Sequence, residues 1–272
     1  MEHLLAAWPQ VLLRLRSAKQ IMLLSDFDGT LTPIVEKPEM AYISESTRYL
    51  LQSLAIQRRI KLGVISGRAL TDLKKRVNVT GIIYAGNHGF EIEGPGWSFV
   101  NPLADEIRPF FRLLSHLLVR ALSPTKGVFV ENKGITLSVH YRQIARDKTL
   151  SMQRAFNRVV NDVRNEGKFK VTLGKKVLEL RPDVDWDKGK AISLLLQKFA
   201  DGRRDGDLVP IYLGDDLTDE DGFEAIDDHE NGISIYIGNN LRRTNASYYL
   251  KSPDEVIEFL KIFLNSLKRG FE

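Results

Sequence analysis

The stretch Ile21-Met22-Leu23-Leu24-Ser25-Asp26-Phe27-Asp28-Gly29-Thr30 decides the fold. Its first four residues are apolar without alternation, the pattern of a short strand buried on both faces, and two carboxylates follow where that strand ends. Working outward, residues 62–65, 82–84, 209–213 and 233–237 repeat the uninterrupted apolar run. Between these runs, residues 46–57, 70–77, 188–199 and 253–267 carry helical spacing, with Val256, Ile257, Leu260, Phe263 and Leu264 forming one stripe in the last of them. Strands alternating with helices predict an α/β protein with a doubly wound, parallel-sheet, Rossmann-like core.

The middle of the chain breaks the alternation. Residues 105–122 place Ile107, Phe110, Phe111, Leu114, Leu117 and Leu118 on one side of a helix, and residues 128–130 and 135–141 flank the turn Asn132-Lys133-Gly134 as a hairpin. In its second arm Ile135, Leu137, Val139 and Tyr141 alternate with Thr136, Ser138, His140 and Arg142, the period of a strand with one polar face. A second helix (150–163) and a second strand pair (169–173 and 176–180) follow. The expected organisation is a core of residues 1–102 and 183–272 with an inserted α+β domain over 103–182, bounded by Pro102 and Pro182.

Composition narrows the function. The 272 residues are 43% hydrophobic and 27% charged, which excludes collagen-like and disordered chains. Lys and Arg number 39 against 35 Asp and Glu, a net charge of +4, and pairs such as Arg58-Arg59 and Arg242-Arg243 never extend into a basic run. That argues against nucleic acid as a partner and suits a small anionic substrate. With no cysteine there is no disulfide, thiolate nucleophile or zinc–thiolate site. Leu4, Leu5, Trp8, Leu12 and Leu15 have near-helical spacing, but Glu2, Pro9, Arg14 and Arg16 interrupt any leader-like run. No apolar stretch approaches bilayer-spanning length, so the expectation is a cytoplasmic protein without membrane association.

Four groups of residues carry chemistry. Asp26 and Asp28 stand at the carboxyl end of a strand, where open α/β sheets place their ligands, and one carboxylate of such a pair can attack while the other moves a proton. An Asx-turn is the plainer reading. Ser66-Gly67-Arg68 brings a hydroxyl, an amide and a guanidinium to the next strand end, a set suited to phosphate, though Ser66 is equally a cap for a helix starting near Ala69. Gly214-Asp215-Asp216-Leu217-Thr218-Asp219-Glu220-Asp221 concentrates carboxylates at a further strand end, where a hard cation such as Mg²⁺ relieves their repulsion. Glu220 and Asp221 are explained by the helix dipole alone, and Asp215 is not. Lys188 opens a helix, the wrong end for a cation unless an anion is near.

In order, Asp26-x-Asp28-Gly-Thr, Ser66, Lys188 and Gly214-Asp215-Asp216 with Asp219 resemble the haloacid dehalogenase-like phosphotransferases, and the insertion is similar to that family's α/β cap of the second type. Gly86-Asn87-His88-Gly89-Phe90-Glu91, Val130-Glu131-Asn132-Lys133, His140-Tyr141-Arg142, Val177-Leu178-Glu179-Leu180-Arg181-Pro182 and the Gly214–Glu220 stretch most resemble the trehalose 6-phosphate phosphatases. The resemblance implies an aspartyl-phosphate on Asp26, with Asp28 as acid and base. Mg²⁺ would rest on Asp26, the Asp28 carbonyl and Asp215, Ser66 and Lys188 on phosphoryl oxygens, and Asp216 and Asp219 would support the metal or Lys188. It further implies substrate contacts from Arg68, His88, Glu131, Lys133, Arg142, Glu179 and Lys176 or Lys175. The residues alone leave Glu131, Arg142 and Glu179 equally readable as paired charges on an exposed sheet face, and His88 as a turn residue. A trehalose 6-phosphate synthase is a candidate partner. The alternatives are a related capped phosphatase acting on sucrose 6-phosphate or mannosyl-3-phosphoglycerate, and a non-catalytic partner of a sugar-phosphate synthase.

Overall fold

The computed structural model describes residues 1–163, 169–174, 176–200, 207–229, 231–239 and 243–270. The chain enters through β1 (Glu2–His3), α1 (Trp8–Ser17), β2 (Gln20–Ser25), α2 (Glu45–Ala55), β3 (Ile60–Ile65), α3 (Leu70–Val77), β4 (Ile83–Gly86), β5 (Glu91–Gly94) and β6 (Trp97–Val100). The insertion holds α4 (Leu103–Leu122), β7 (Phe129–Asn132), β8 (Leu137–His140), α5 (Thr149–Asp162), β9 (Phe169–Gly174) and β10 (Val177–Pro182). It leaves through α6 (Lys188–Ala200), β11 (Leu208–Gly214), α7 (Glu220–Asp227), β12 (Ile233–Ile237), β13 (Tyr248–Leu250) and α8 (Pro253–Lys268).

Two compact units result: residues 1–99 with 186–272, and residues 100–185. In the first, the described strands form one sheet in the order β1-β13-β12-β11-β2-β3-β4-β5-β6. The strands from β13 to β4 run parallel, and their chain order along the sheet is that of a doubly wound fold whose winding reverses between β2 and β11. The uninterrupted apolar runs follow from burial on both faces. Ile21 and Leu23 of β2 join a core with α1, α2, α3 and α8, while Met22 and Leu24 join one with α6 and α7. Helix ends are fixed locally: Ser44 Oγ accepts from the Thr47 amide at 3.0 Å, Ser252 Oγ caps α8 ahead of Pro253, and Asn78 stops α3 in a left-handed turn at φ 48°.

Three features exceed the sequence pattern. The edge pair β5 and β6 was not legible, because a hairpin on a sheet edge needs no long apolar run; β5 pairs antiparallel with β4. Very short β1 and β13 extend the other edge. The amino-terminal helix docks on its own unit: Val11 and Leu15 are buried, Trp8 meets Phe259 edge-on at 5.6 Å, and His3 Nε2 lies 2.9 Å from Glu255 Oε2. No described helix is long and apolar enough to cross a membrane.

The second unit is an antiparallel sheet in the order β7-β8-β10-β9. Phe111, Leu114, Leu118 and Leu122 of α4 and Met152 and Phe156 of α5 bury against Leu137, Val139, Leu178 and Leu180 on one sheet face. The expected arm 135–141 is a strand only over Leu137–His140. Ahead of it, Lys133 N bonds Thr136 O at 3.0 Å and Gly134 takes φ +87°, so the turn consumes Ile135 and Thr136.

Candidate active site

The reversal point between β2 and β11 concentrates the charged residues. The Asp26 amide donates to Leu213 O at 2.8 Å, tying the two strand ends together. Gly29 follows at φ +90°, and a Cβ there would lie 2.3 Å from Asp215 Oδ2. Glycine is therefore required twice, by its backbone and by the carboxylate packed against it.

Lys188, at the start of α6 and 2% exposed, links two buried carboxylates: its Nζ donates to Asp26 Oδ1 at 2.7 Å and to Asp219 Oδ1 at 2.6 Å. Burial opposes its charge, but Asp219 and Asp26 outweigh that and hold Lys188 well above its ordinary range. Burial pushes the Asp26 carboxyl up, Lys188 draws it part of the way back, and Asp219, Asp215 and Asp216 push it up again. Asp219 is fully enclosed and accepts four hydrogen bonds. Oδ1 takes Lys188 and the Tyr212 hydroxyl at 2.5 Å, and Oδ2 takes the amides of Asp215 and Asp216 at 2.9 and 3.0 Å. Asp216 Oδ1 accepts from the amide and hydroxyl of Thr218, both at 2.7 Å.

Oxygens of Asp26, Asp215 and Asp219 approach within 4.8 Å of one another. Oxygen-only donors of this kind suit a hard divalent cation. Asp219 has no lone pair to spare after four donors, so Asp26 and Asp215 are the side chains fitted to face a cation, with Asp219 bracing Lys188 and the Asp215 backbone. The space that Gly29 leaves beside the Asp215 carboxylate fits the same reading.

A second group sits at the ends of β3 and β4. Ser66 is buried, with its hydroxyl accepting from the Arg68 amide at 3.2 Å and its carbonyl from the His88 amide at 2.9 Å. His88 is buried in a left-handed conformation, φ 58°, and its ring leaves no room for a Cβ on Gly67, which would fall 2.6 Å from Nε2. Arg68 directs its guanidinium to Asp28, with Nε and Nη2 each 2.7 Å from a carboxylate oxygen, and to Asp72 at 2.9 Å and Pro38 O at 2.9 Å. Burial works against the Arg68 charge, and the bonds to Asp28 and Asp72 outweigh it, raising its pKa. Asp72 also takes Arg76 Nε at 2.7 Å.

In the second unit, Glu131, Ser138 and Glu179 form one row across β7, β8 and β10. His140 Nε2 lies 2.9 Å from Glu131, Lys133 Nζ 3.4 Å from Glu179, and Arg181 donates twice to Glu179 at 2.8 and 2.6 Å. These charges are paired but not exposed: side-chain exposure is 10% for Lys133, 14% for Glu179 and 22% for Glu131. Arg142 is exposed, two residues beyond β8. Lys176 takes φ 67° at the hairpin tip, its Nζ 5.7 Å from the Tyr141 ring centre, and Lys175 lies outside the described residues.

Sequence reasoning missed Tyr212 and the Asp72–Arg76 pair. The signal for the first was present: among Val209, Pro210, Ile211, Tyr212 and Leu213, Tyr212 alone has a polar group, and a buried tyrosine hydroxyl needs a partner.

A parallel sheet in this order, an aspartate pair at its reversal point and an α+β insertion ahead of the lysine-bearing helix define the haloacid dehalogenase-like class. A haloacid dehalogenase-like hydrolase from Bacteroides thetaiotaomicron shares the fold at TM-score 0.59 and 18% identity, over 90% of this chain and 99% of that one. The C-terminal domain of trehalose-6-phosphate phosphatase from C. albicans does so at TM-score 0.78 and 24% identity, over 94% and 96%. Within that class the chain belongs to the trehalose-phosphatase family, whose sequence profile matches residues 24–254. A probable trehalose-phosphate phosphatase of Oryza sativa subsp. japonica is 36% identical over 245 residues, 89% of this chain; the chain spans 65% of that relative's length.

Proposed function

We propose that this chain is a Mg²⁺-dependent phosphatase that hydrolyses trehalose 6-phosphate to trehalose and phosphate. The observation that carries the reading is Lys188 bridging buried Asp26 and Asp219 beside Asp215, at the reversal point of the sheet, in a member of the trehalose-phosphatase family. Asp26 and Asp215, with the Asp28 carbonyl, would hold the cation. Bound Mg²⁺ supplies charge neutralisation for the dianionic phosphoryl group, which four carboxylates around one ammonium would otherwise repel.

Asp26 attacks phosphorus through Oδ2, since Oδ1 is engaged by Lys188. The bond from phosphorus to the sugar oxygen breaks, and that oxygen leaves with a proton from Asp28. Water then attacks phosphorus, giving its proton to Asp28, and the bond to Asp26 breaks to release phosphate. Ser66 and the remaining N–H of Lys188 hold phosphoryl oxygens, and Asp216 with Asp219 keeps the β11 turn and Lys188 in place. Arg68, its side chain 7% exposed, positions Asp28, whose side chain is 40% exposed. Arg68, His88, Glu131, Lys133, Arg142, Lys176 and Glu179 are the proposed contacts to substrate oxygens. A trehalose 6-phosphate synthase is the natural partner, because it would form this substrate.

Phosphate release from a panel of sugar phosphates with Mg²⁺ tests the reading. Trehalose 6-phosphate is expected to dominate, Asp26→Asn to abolish turnover and phosphoenzyme, and Asp28→Asn to recover its first step on an ester with a good leaving group. Comparable turnover of sucrose 6-phosphate would refute the substrate, and the absence of activity on every ester would leave a binding partner instead.

A further inference from the structure

We propose that Tyr212 is a positioning residue for the phosphoryl-binding lysine, acting through one oxygen of Asp219. The inference rests on the phosphatase reading above for the role of Lys188. Tyr212 is completely buried in β11. Its hydroxyl donates to Asp219 Oδ1 at 2.5 Å, the same oxygen that accepts from Lys188 Nζ at 2.6 Å. The ring cannot swing away. Phe223 packs against it at 5.7 Å between centres, and Gly222 sits so close that a Cβ there would fall 2.4 Å from Tyr212 Cε1.

An ammonium has three N–H donors. Lys188 commits two, one to Asp26 and one to Asp219, which leaves one to reach a phosphoryl oxygen. The direction of that third donor is set by the first two. Tyr212 shares the acceptor capacity of Oδ1 and fixes where that oxygen points. Without the hydroxyl, Oδ1 turns fully onto Lys188 and draws the ammonium inward, away from the phosphoryl group. The other oxygen of Asp219 holds the amides of Asp215 and Asp216, so the two arms of this carboxylate separate by function: Oδ1 serves the lysine and Oδ2 the cation side. Tyr212 touches only the first.

That separation supplies the test. Tyr212→Phe keeps the ring and removes the hydroxyl, and Tyr212→Leu removes both. For Tyr212→Phe, kcat on trehalose 6-phosphate is expected to fall roughly tenfold with KM within about twofold, the worth of one hydrogen bond at the transition state. Affinity for orthovanadate with Mg²⁺ present, measured by calorimetry, should fall by a similar factor. Affinity for Mg²⁺ alone should stay within about twofold of the parent. A purely structural role would instead lower the melting temperature of both variants and leave vanadate affinity in Tyr212→Phe unchanged. Parent-like vanadate binding in Tyr212→Phe, or equal losses in Mg²⁺ and vanadate affinity, overturns the proposal, as does a parent protein that binds no vanadate. A parent that binds vanadate but hydrolyses no sugar phosphate refutes the proposed function while the Tyr212→Phe comparison still decides the positioning role.

Discussion

Replacing Asp219 by asparagine is nearly isosteric, yet it should be among the most damaging single changes in the protein. The carboxylate accepts four hydrogen bonds, two at each oxygen; the Lys188 ammonium and the amides of Asp215 and Asp216 can only donate, and the fourth donor is the Tyr212 hydroxyl, which can also accept. An amide offers one oxygen and one NH₂. If the NH₂ faces Oδ1's position, it meets the Lys188 ammonium and the Tyr212 hydroxyl; if it faces Oδ2's, it meets the Asp215 and Asp216 amides. Facing the two amides, the NH₂ strands two buried donors, about 2–6 kcal/mol together at about 1–3 kcal/mol each; facing Oδ1's position, it can donate to the Tyr212 oxygen but still strands the Lys188 ammonium. Breaking a buried ion pair by removing one partner independently suggests about 3–5 kcal/mol. Lys188, only 2% exposed, has nowhere to take its charge except Asp26. Against a typical total stability of about 5–15 kcal/mol, a loss of about 3–5 kcal/mol in Asp219→Asn should bring the urea midpoint down by about a fifth or more. Urea unfolding followed by circular dichroism, with the slope checked for constancy, measures this. A loss below about 1 kcal/mol at unchanged slope would refute the account of Asp219 as a saturated acceptor.

Two other outcomes follow from the same geometry. Burial pushes the Asp72 carboxyl up, but the bonds from Arg76 and Arg68 outweigh it and hold its pKa below the ordinary 3.8. A folded-state value below the unfolded one stabilises above pH 3.8, and the contribution drains away as pH falls through the folded value; Asp72→Asn should therefore flatten the acid limb of a stability-against-pH curve, and an unchanged limb would contradict the assignment. Gly29→Ala combines a strained φ of +90° with a Cβ 2.3 Å from Asp215 Oδ2, so calorimetry should find Mg²⁺ affinity reduced by tenfold or more, and parent-like affinity would mean that Asp215 is not held where the cation needs it.

The sequence by itself determined the central strands and their alternation with helices, though not the edge strands β1, β5, β6 and β13, because a strand buried on two faces must be apolar at every position, as at Ile21, Met22, Leu23 and Leu24. It also placed Asp26, Asp28, Ser66, Lys188 and Asp215 at the ends of strands or helices, since turns after buried strands are where polar residues resume. The polar row of the insertion was readable as charged residues within a strand pattern. It was not readable that Lys133 turns onto Glu179, nor that these charges are largely enclosed, because partners from different strands depend on register; Arg181 reaches Glu179 along one strand, two residues away.

Only the tertiary structure decided which chemistry meets which. Lys188 stands 162 positions from Asp26, and nothing local brings them together. The meeting comes from the doubly wound order that sets β11 beside β2, and from α6 and α7 packing on the face that Met22 and Leu24 bury. The same packing turned Tyr212 from a strand residue into the fourth donor on Asp219; on the opposite face, the β3–α3 segment brings Arg68 to Asp28 and Asp72. Local pattern fixes which groups can be polar at a strand end. Strand order and the burial of both sheet faces fix which of them must share a hydrogen bond or an ion pair.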